Sequence, residues 1–243
     1  MMRTAWFYVV LVGSSIVHAT GVIVAALLGV KRRPGGIYDW GTNDWSRQLL
    51  RAAGTPVRVA GLERIPAGPV VYASNHSSMF DIWALAATLP GSVRFVAKQE
   101  LARIPLVGRA MVTVGHIMID RAHPARALTG YERAADLLRS GISAVVFPEG
   151  TRSRTGELLP FKNAPFGLAI AAQAPVVPVY VRDTFTIMAK GHRLLRPRPI
   201  RIEIGDPVST TGMTLEQRGA LRDRVRAAVL ELKARVDADA PGR

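Results

Sequence analysis

The chain has 243 residues, of which 49% are hydrophobic and 21% are charged, and its 32 Lys and Arg outnumber its 18 Asp and Glu to give a net charge of +14. The apolar content excludes a largely disordered polymer, and the absence of Cys excludes a disulfide framework, Cys-held metals and a thiol nucleophile. The net charge favours an anionic partner, and composition alone leaves nucleic acid, anionic lipid and phosphorylated small molecules open.

The first predicted element is an apolar helix near the amino terminus. From Ala5 to Val30 the sequence has no charged residue, and the basic cluster 31–33 follows directly. A helix of this length spans about 39 Å, against about 30 Å for the hydrocarbon core of a bilayer. The length and the basic cluster favour a membrane helix over a cleaved signal peptide or a buried core helix, and the cluster predicts that the following residues lie on the cytoplasmic side.

A second helix is predicted at 39–53 as a partner for the first. The apolar helix carries a small and weakly polar stripe that suits contact with another helix rather than with lipid. The stripe consists of Ser14, His18, Gly21 and Ala25. We therefore interpret residues 1–54 as a membrane-associating helical segment, and a spanning helix and a hairpin within one leaflet both remain open.

Beyond Gly54, short β-branched runs alternate with longer helical stretches. This pattern predicts an α/β fold with a mainly parallel mixed sheet flanked by helices. Strands are predicted at 57–60, 69–74, 93–97, 116–119, 143–147, 176–181 and 200–204. Helices are predicted at 79–88, 124–139, 163–172 and 215–236. Pro178 falls inside a predicted strand, which indicates an edge position or a bulge.

The motif Asn75-His76-Ser77-Ser78-Met79-Phe80-Asp81 follows one of these strands. His76 and Asp81 can meet only if His76 lies in the turn and Asp81 in the first turn of the next helix, which Ser78 as N-cap would produce. The carboxylate would then orient the imidazole through one ring nitrogen and leave the other as a general base. A helix cap alone is the alternative interpretation, because Ser78-x-x-Asp81 is also a capping-box pattern.

Three further motifs bring cations to the ends of strands, where open α/β sheets bind ligands. The run 147–154 (FPEGTRSR) offers two arginines, a Thr hydroxyl and turn amides, which suit a phosphate site or a solvated turn. The run 115–121 (GHIMIDR) ends in an Asp-Arg pair that suits a site or a structural ion pair, and His116 is interpreted as a packed histidine. Lys98 follows the strand at 93–97.

Absent motifs narrow the chemistry. The sequence has no G-x-S-x-G, H-E-x-x-H, G-x-x-x-x-G-K-[ST] or G-x-G-x-x-G pattern. A serine hydrolase, a zincin, a P-loop nucleotidase and a nicotinamide enzyme each lack their signature. Nucleic acid is not expected as a partner, because the aromatic residues are not interleaved with the basic runs and no binding motif is present.

Together the blocks resemble the PlsC-type glycerolipid acyltransferases, the lysophosphatidic acid acyltransferase family. NHSSMFD resembles the NHxxxxD block, GHIMIDR the second block ending in Arg, FPEGTRSR the FPEGTRS block and VPVY the last block. They occur in the family's order, over roughly Val57 to Pro207. The segment FKNAPF departs from the family's frequent F-K-[KR]-G pattern around Lys162.

The resemblance implies a glycerol-3-phosphate acyltransferase-like catalytic domain over residues 55–243, with His76 and Asp81 as the catalytic residues. It implies acceptor binding by Lys98, Arg121, Glu149, Gly150, Thr151 and Arg152. It further implies direct acyl transfer from acyl-CoA or acyl carrier protein to the sn-2 hydroxyl of 1-acyl-glycerol-3-phosphate, giving phosphatidic acid without an acyl-enzyme, a metal or another cofactor. Another lyso-lipid acceptor, such as a lyso-ornithine lipid, and a non-catalytic lipid-binding protein are the alternatives.

The expected location is the cytoplasmic face of the cell's inner membrane, with the bilayer as a partner. Between 182 and 201 lie six Lys and Arg against one acid. This basic run fits a solvated face, lipid headgroups, the phosphates of coenzyme A or an acidic acyl carrier protein.

Overall fold

The computed structural model describes residues 1–120 and 124–239, and the side chains at 124–129, 132 and 133 lie outside this description. The helices are α1 (Met2–Leu27), α2 (Ile37–Ala53), α3 (Phe80–Thr88), α4 (Val107–Val114), α5 (Pro124–Arg139), α6 (Ala164–Ala172), α7 (Thr184–Ile187) and α8 (Arg218–Ala238). The strands are β1 (Val57–Ala60), β2 (Val71–Ser74), β3 (Val93–Lys98), β4 (Ile117–Ile119), β5 (Ser143–Val146), β6 (Val176–Arg182) and β7 (Ile200–Ile204). Short 3₁₀ helices occupy Leu62–Arg64, Gln99–Arg103 and Leu215–Gln217.

Among the described residues, seven strands form one sheet in the order β1-β7-β6-β2-β5-β3-β4. Neighbouring strands run parallel except β6 and β7, which are antiparallel. The predicted mainly parallel mixed sheet with flanking helices is confirmed. Because β2, β5, β3 and β4 are consecutive and parallel, their carboxyl ends lie side by side and gather the motifs that follow them.

Pro178 lies in an interior strand, so the predicted edge position is wrong. β6 pairs with β2 on one side and with β7 on the other. The Pro178 carbonyl accepts the Gly205 N–H at 2.9 Å, and regular pairing stops there because proline has no N–H to return. Pairing resumes between Val176 and Val208, with one more residue on the β7 side than on the β6 side, which is the geometry of the predicted bulge.

Apolar side chains cover both faces of the sheet. One face carries α2, α3 and the start of α1, where Phe7 is fully buried against the rings of Phe80 and Trp83. The other face carries α5, α6 and α8, represented by Phe166 and Val225. The two helical layers bury the sheet and leave the loops at its carboxyl edge free to form a site.

The helices α1 and α2 form an antiparallel hairpin, which confirms the predicted partner helix. The Ser14 hydroxyl donates to Gln48 Oε1 at 2.9 Å, and His18 Nε2 lies 3.1 Å from Asp44 Oδ2. Among the described residues, α1 is the one helix that is both long enough and apolar enough to cross a membrane. Because only 22% of its most apolar stretch is buried in the protein, the alternative of a buried core helix is wrong.

One member of the predicted stripe does not face α2. Ser14 and Ala25 are buried, whereas Gly21 is exposed. Val22 makes the contact instead, and its Cγ1 atom lies 3.0 Å from where a Cβ at Gly41 would be. Gly41 therefore allows the close approach of the two helices that Gly21 was expected to provide.

The hairpin is fixed to the rest of the chain at both ends of α1. Near its start, the Tyr8 hydroxyl donates to the Arg193 carbonyl at 3.0 Å. Just beyond its end, Arg32 Nε donates to the Thr113 carbonyl at 2.8 Å. Helix α1 therefore lies along the α/β part of the protein rather than projecting away from it. The domain boundary predicted between residues 54 and 55, dividing 1–54 from 55–243, stays a prediction.

A buried ion pair holds α2 against the sheet. Arg94 Nη1 on β3 lies 2.6 Å from Asp39 Oδ1 on α2, and both side chains are almost completely buried. The second Asp39 oxygen accepts the Ser92 hydroxyl at 2.6 Å and the Gly35 N–H at 2.8 Å. Because a buried carboxylate is stable only when it is paired and hydrogen-bonded, these contacts fix the position of the hairpin on the sheet.

Candidate active site

The structure brings His76 and Asp81 together at the carboxyl end of β2. His76 lies in the turn after the strand and Asp81 in the first turn of α3, with Nδ1 and Oδ2 2.8 Å apart. Asp81 is completely buried, whereas His76 remains partly open to the cavity described below. A histidine with one nitrogen on a buried carboxylate and the other facing a cavity suits a general base.

Ser78 is not the N-cap of α3, so that detail of the prediction is wrong. Met79 occupies the cap position, and the Ser78 hydroxyl donates to the Met188 carbonyl at 2.6 Å. The Asp81 carboxylate and the Ser78 hydroxyl share the capping role, because Oδ2 accepts the Ser77 and Ser78 N–H groups at 2.7 and 2.8 Å and Ser78 Oγ accepts the Phe80 N–H at 3.3 Å. Capping and orientation of the histidine are therefore combined in one carboxylate.

The surroundings of His76 fix both its tautomer and its ring plane. Since the Asp81 carboxylate accepts from every neighbour, the hydrogen on His76 must be at Nδ1, and Nε2 is the free base. The imidazole stacks on Phe147 with ring centroids 4.0 Å apart and planes at 18°. The ring is therefore held by a hydrogen bond at its edge and by an aromatic face.

Thr184 completes the set of donors around Asp81, and no motif in the sequence indicated this role. Its hydroxyl, at the start of α7, donates to Asp81 Oδ1, while Ser77 Oγ lies 3.1 Å from the Thr184 hydroxyl. Both hydroxyl residues are buried. Thr184 lies 103 residues from Asp81 along the chain, so only the pairing of β2 with β6 brings the two together.

We expect Thr184→Val to lower kcat by about tenfold to hundredfold with little change in KM, because a hydrogen bond to a charged group is worth about 1.5–3 kcal/mol. Thr184→Ser keeps the donor and should retain most activity. Thr186→Val, on the exposed side of the same helix, is the matched control. Steady-state kinetics of the three variants test this role, and an unchanged kcat in Thr184→Val would contradict it.

Glu149 lies behind His76 rather than in the cavity. Its Oε1 accepts the His76 N–H at 2.5 Å and its Oε2 accepts the Leu159 N–H at 2.9 Å. The His76 carbonyl accepts the Ser153 N–H at 2.8 Å, so the two motifs are joined through backbone groups. Burial raises the pKa of Glu149 to about 7, although the two backbone N–H groups oppose this shift. Glu149 thus holds the turn that carries His76, and its contact with an acceptor stays a prediction.

The raised pKa of Glu149 makes its contribution to stability depend on pH. A carboxyl with a raised folded-state pKa stabilises the protein below its ordinary value of 4.5, and this stabilisation is lost as pH rises through about 7. The free energy of unfolding of the wild type relative to Glu149→Gln should therefore fall between about pH 5 and pH 8, by at most about 3 kcal/mol. The melting temperature of the wild type should fall relative to that of the variant over the same range. Thermal unfolding at a series of pH values tests this. The control is Glu157→Gln, which changes an exposed glutamate of the same loop. A difference that grows with pH would contradict it.

The turn after β5 places cations next to His76. Thr151 and Arg152 both line the cavity, and the Thr151 hydroxyl accepts from Lys190 Nζ at 3.0 Å. Gly150 has a φ of +72°, and a Cβ there would lie 3.1 Å from Lys162 Cε and Nζ. A glycine at position 150 therefore allows both the positive φ of the turn and the close approach of the Lys162 side chain.

The predicted acceptor-binding residues do not all lie in one place. Lys98, Gly150, Thr151 and Arg152 line the same cavity as His76, and the structure adds Lys190, which the sequence placed only in a basic run. Arg154 is exposed and is not part of the lining. Arg121 lies outside the described residues.

An apolar cavity of about 440 Å³ runs from His76 and the cations to the α1–α2 hairpin. Its walls are residues of α1, α2, α3, β3, the 3₁₀ helix Gln99–Arg103 and α4. Phe147, Trp83, Val22 and Gly41 are representative lining residues. The sequence did not predict this cavity, because its walls come from six separate elements.

His116 lines the cavity as a neutral, packed histidine, as the sequence indicated. Its Nδ1 accepts the Phe95 N–H at 3.2 Å, and burial together with the nearby Arg94 lowers its pKa to about 3. Among the described residues, no group of His, Asp and Glu is arranged to hold a metal ion. Together the fold and the site define an α/β protein with an oriented histidine base, a cation cluster and an apolar cavity at one edge of its sheet.

Comparison with known proteins gives the family. A family model described as Acyltransferase matches residues 56–182, which is more than half of the chain. The human 1-acyl-sn-glycerol-3-phosphate acyltransferase alpha is 35% identical over 191 residues, covering 78% of this chain and 68% of that protein. The 1-acyl-sn-glycerol-3-phosphate acyltransferase of Cocos nucifera is 32% identical over 179 residues, covering 73% of this chain and 57% of that protein.

A solved structure has the same fold. The crystal structure of the 1-acyl-sn-glycerophosphate acyltransferase PlsC from Thermotoga maritima matches with a TM-score of 0.82 and 24% identity, over 99% of this chain and 97% of that one. This chain therefore belongs to the acyltransferase family, and its resemblance to the PlsC-type members is confirmed. It spans 57% and 68% of the lengths of the two curated relatives above.

Proposed function

We propose that this chain transfers an acyl group from acyl-CoA or acyl carrier protein to the sn-2 hydroxyl of 1-acyl-glycerol-3-phosphate, giving phosphatidic acid. The observation that carries the proposal is the oriented His76 at the junction of a cation cluster and an apolar cavity. An acceptor with a phosphate, a free hydroxyl and an acyl chain presents the three matching groups. The names of the curated relatives support the same acceptor.

The reaction uses His76 Nε2 as a general base. It takes the proton of the acceptor hydroxyl as that oxygen attacks the thioester carbonyl, and Asp81 stabilises the imidazolium that forms. Collapse of the tetrahedral intermediate breaks the carbon–sulfur bond, and the departing thiolate takes the proton from Nε2. Ester and thiol are thus formed in one sequence without an acyl-enzyme, consistent with a chain that has no Cys.

The acceptor phosphate would be bound by Lys98, Arg152 and Lys190. These three cations line the cavity together with His76. The guanidinium of Arg152 can bind two phosphate oxygens at once, and the lysines supply charge without fixed geometry. Phosphate binding by these groups would separate lysophosphatidate from neutral monoacylglycerol.

The α1–α2 hairpin would attach the protein to one leaflet at the cytoplasmic face of the inner membrane. Helix α1 is held to the α/β part through Tyr8 near its start and through Arg32 beyond its end. A helix fixed to the same folded body at both ends lies along that body, which supports attachment within one leaflet rather than a crossing. Its exposed apolar residues then face lipid.

The preference for a phosphate tests this proposal. Wild type should acylate 1-acyl-glycerol-3-phosphate much faster than monoacylglycerol at equal concentration. Arg152→Ala should raise KM for the phosphorylated acceptor by at least about tenfold, the cost of one charge-assisted contact, and leave the neutral acceptor nearly unaffected. Arg154→Ala, two residues away and outside the cavity, is the matched control. Equal losses on both acceptors in Arg152→Ala would contradict phosphate recognition.

A further inference from the structure

The segment 98–115 exposes apolar side chains that the proposed chemistry does not use. It comprises the end of β3, the 3₁₀ helix Gln99–Arg103 and α4. Leu101, Ile104 and Val112 are 37%, 43% and 48% exposed. Large apolar residues exposed together on a short segment indicate contact with a partner.

The inner side of the same segment forms a wall of the cavity. Leu101 and Ile104 line the cavity and are also partly exposed, so they lie at its edge. Farther along, Ala110 and Val114 of α4 are buried in a cluster with α1. The segment therefore separates the interior of the cavity from the exterior directly beside α1.

The segment is held as one unit. A Cβ at Gly108 would lie 2.4 Å from the Leu101 carbonyl oxygen, so α4 packs directly on the backbone of the 3₁₀ helix. Leu106, between the two, has a left-handed φ of 59°, which reverses the chain direction. Its exposed side chains consequently form a surface of defined shape rather than a loose loop.

Basic residues surround these apolar side chains. Lys98, Arg103 and Arg109 are exposed, against a single acid, Glu100. Beside them, Arg32 binds the carbonyl groups of Val112 and Thr113 and joins the basic cluster 31–33 to the end of α4. Apolar side chains ringed by cations complement an anionic lipid surface, with its hydrocarbon below and its phosphates above.

We propose that the segment 98–115 is a second membrane-contacting surface, continuous with the exposed apolar face of α1, and that it places Leu101 and Ile104, at the edge of the cavity, against the acyl chains of the leaflet. The inference rests on the membrane attachment proposed above. It gives the lipid acceptor a sideways route from the bilayer into the cavity, so that the lipid need not pass through water.

Site-directed labelling tests this directly, because the chain has no Cys of its own. An environment-sensitive fluorophore is attached to Val112→Cys on the segment, Val12→Cys on the exposed face of α1, and Leu230→Cys on α8 across the sheet. The full chain is then bound to vesicles of phosphatidylcholine and phosphatidylglycerol that carry nitroxide-labelled lipid tails.

The probes at 112 and 12 should shift to the blue and be quenched, while the probe at 230 stays in water. If the probe at 12 enters the lipid and the probe at 112 behaves like that at 230, the inference is overturned while membrane attachment stands. If the probes at 12 and 112 both stay in water, the attachment fails and the inference with it.

Charge reversal gives a second readout. Arg103→Glu with Arg109→Glu should weaken binding to anionic vesicles by at least about tenfold, because each basic residue near an anionic surface contributes measurably to affinity. Turnover with a monomeric short-chain acceptor should be unchanged. The control is Arg58→Glu with Arg224→Glu, exposed positions on β1 and α8. Equal vesicle affinity in the two double variants would overturn the proposal.

Discussion

Replacing His76 by alanine is expected to reduce acyl transfer by about 10²–10⁴-fold, the usual contribution of a general base. The imidazole is the group that the structure orients toward the cavity through Asp81 and Phe147. Its loss leaves the acceptor hydroxyl without a proton acceptor during attack. Initial rates of phosphatidic acid formation from a fixed thioester measure the effect.

Two controls separate this effect from loss of the fold or of membrane binding. His192→Ala removes an exposed histidine and should retain full activity. Vesicle binding of His76→Ala should match the wild type, and a single cooperative unfolding transition should show that the fold survives loss of the Asp81 hydrogen bond and the Phe147 stack. Residual turnover of more than a tenth of the wild-type rate in His76→Ala would refute the general-base mechanism.

The second large effect is expected for Asp81→Asn. The amide keeps the shape of the side chain, and its oxygen can still accept the hydrogen bonds made to Oδ2, but it carries no negative charge to stabilise an imidazolium. A comparable substitution in the serine-protease triad lowers kcat by about 10⁴-fold, so we expect a loss on the order of 10³-fold here. The measurement is kcat at saturating acceptor.

Asparagine is preferable to alanine at this position. Alanine would leave the Ser77 and Ser78 N–H groups without an acceptor, at about 1–3 kcal/mol for each buried group. Such a variant would confuse loss of stability with loss of catalysis. A melting temperature near that of the wild type qualifies Asp81→Asn for kinetics, and a kcat within tenfold of the wild type would contradict the assigned role of the carboxylate.

The strands could be predicted because each is a short β-branched run between turn residues, and all seven appear within two residues of the expected bounds. Helix α4 was missed because Val107–Val114 contains three valines and leads almost directly into β4. Its helical form depends on packing against α1, where Ala110 and Val114 meet Ala19 and Val22. Tertiary contact overrode local propensity there.

The His76–Asp81 pair at the centre of the site could be predicted for a different reason. His76 and Asp81 are five residues apart at the end of a strand, so local geometry alone limits how they can meet. Thr184 and Lys190 come from the connection after β6, and only the strand order brings them to the site. The proline in β6 indicated an edge position or a bulge, and only the pairing of β6 with β7 distinguishes the bulge that the structure has.

The central claim is that this chain transfers the acyl group of a thioester directly to the hydroxyl of a phosphorylated lyso-lipid, without an acyl-enzyme. In the most direct measurement, the purified full chain is incubated with 1-acyl-glycerol-3-phosphate in two reactions, one with acyl-CoA as donor and one with acylated acyl carrier protein. The products are identified by mass. We expect one phosphatidic acid and one free thiol per turnover with at least one donor, and much less product from a lyso-ornithine lipid. No product with either donor, or thiol release accompanied by free fatty acid instead of phosphatidic acid, would contradict the account.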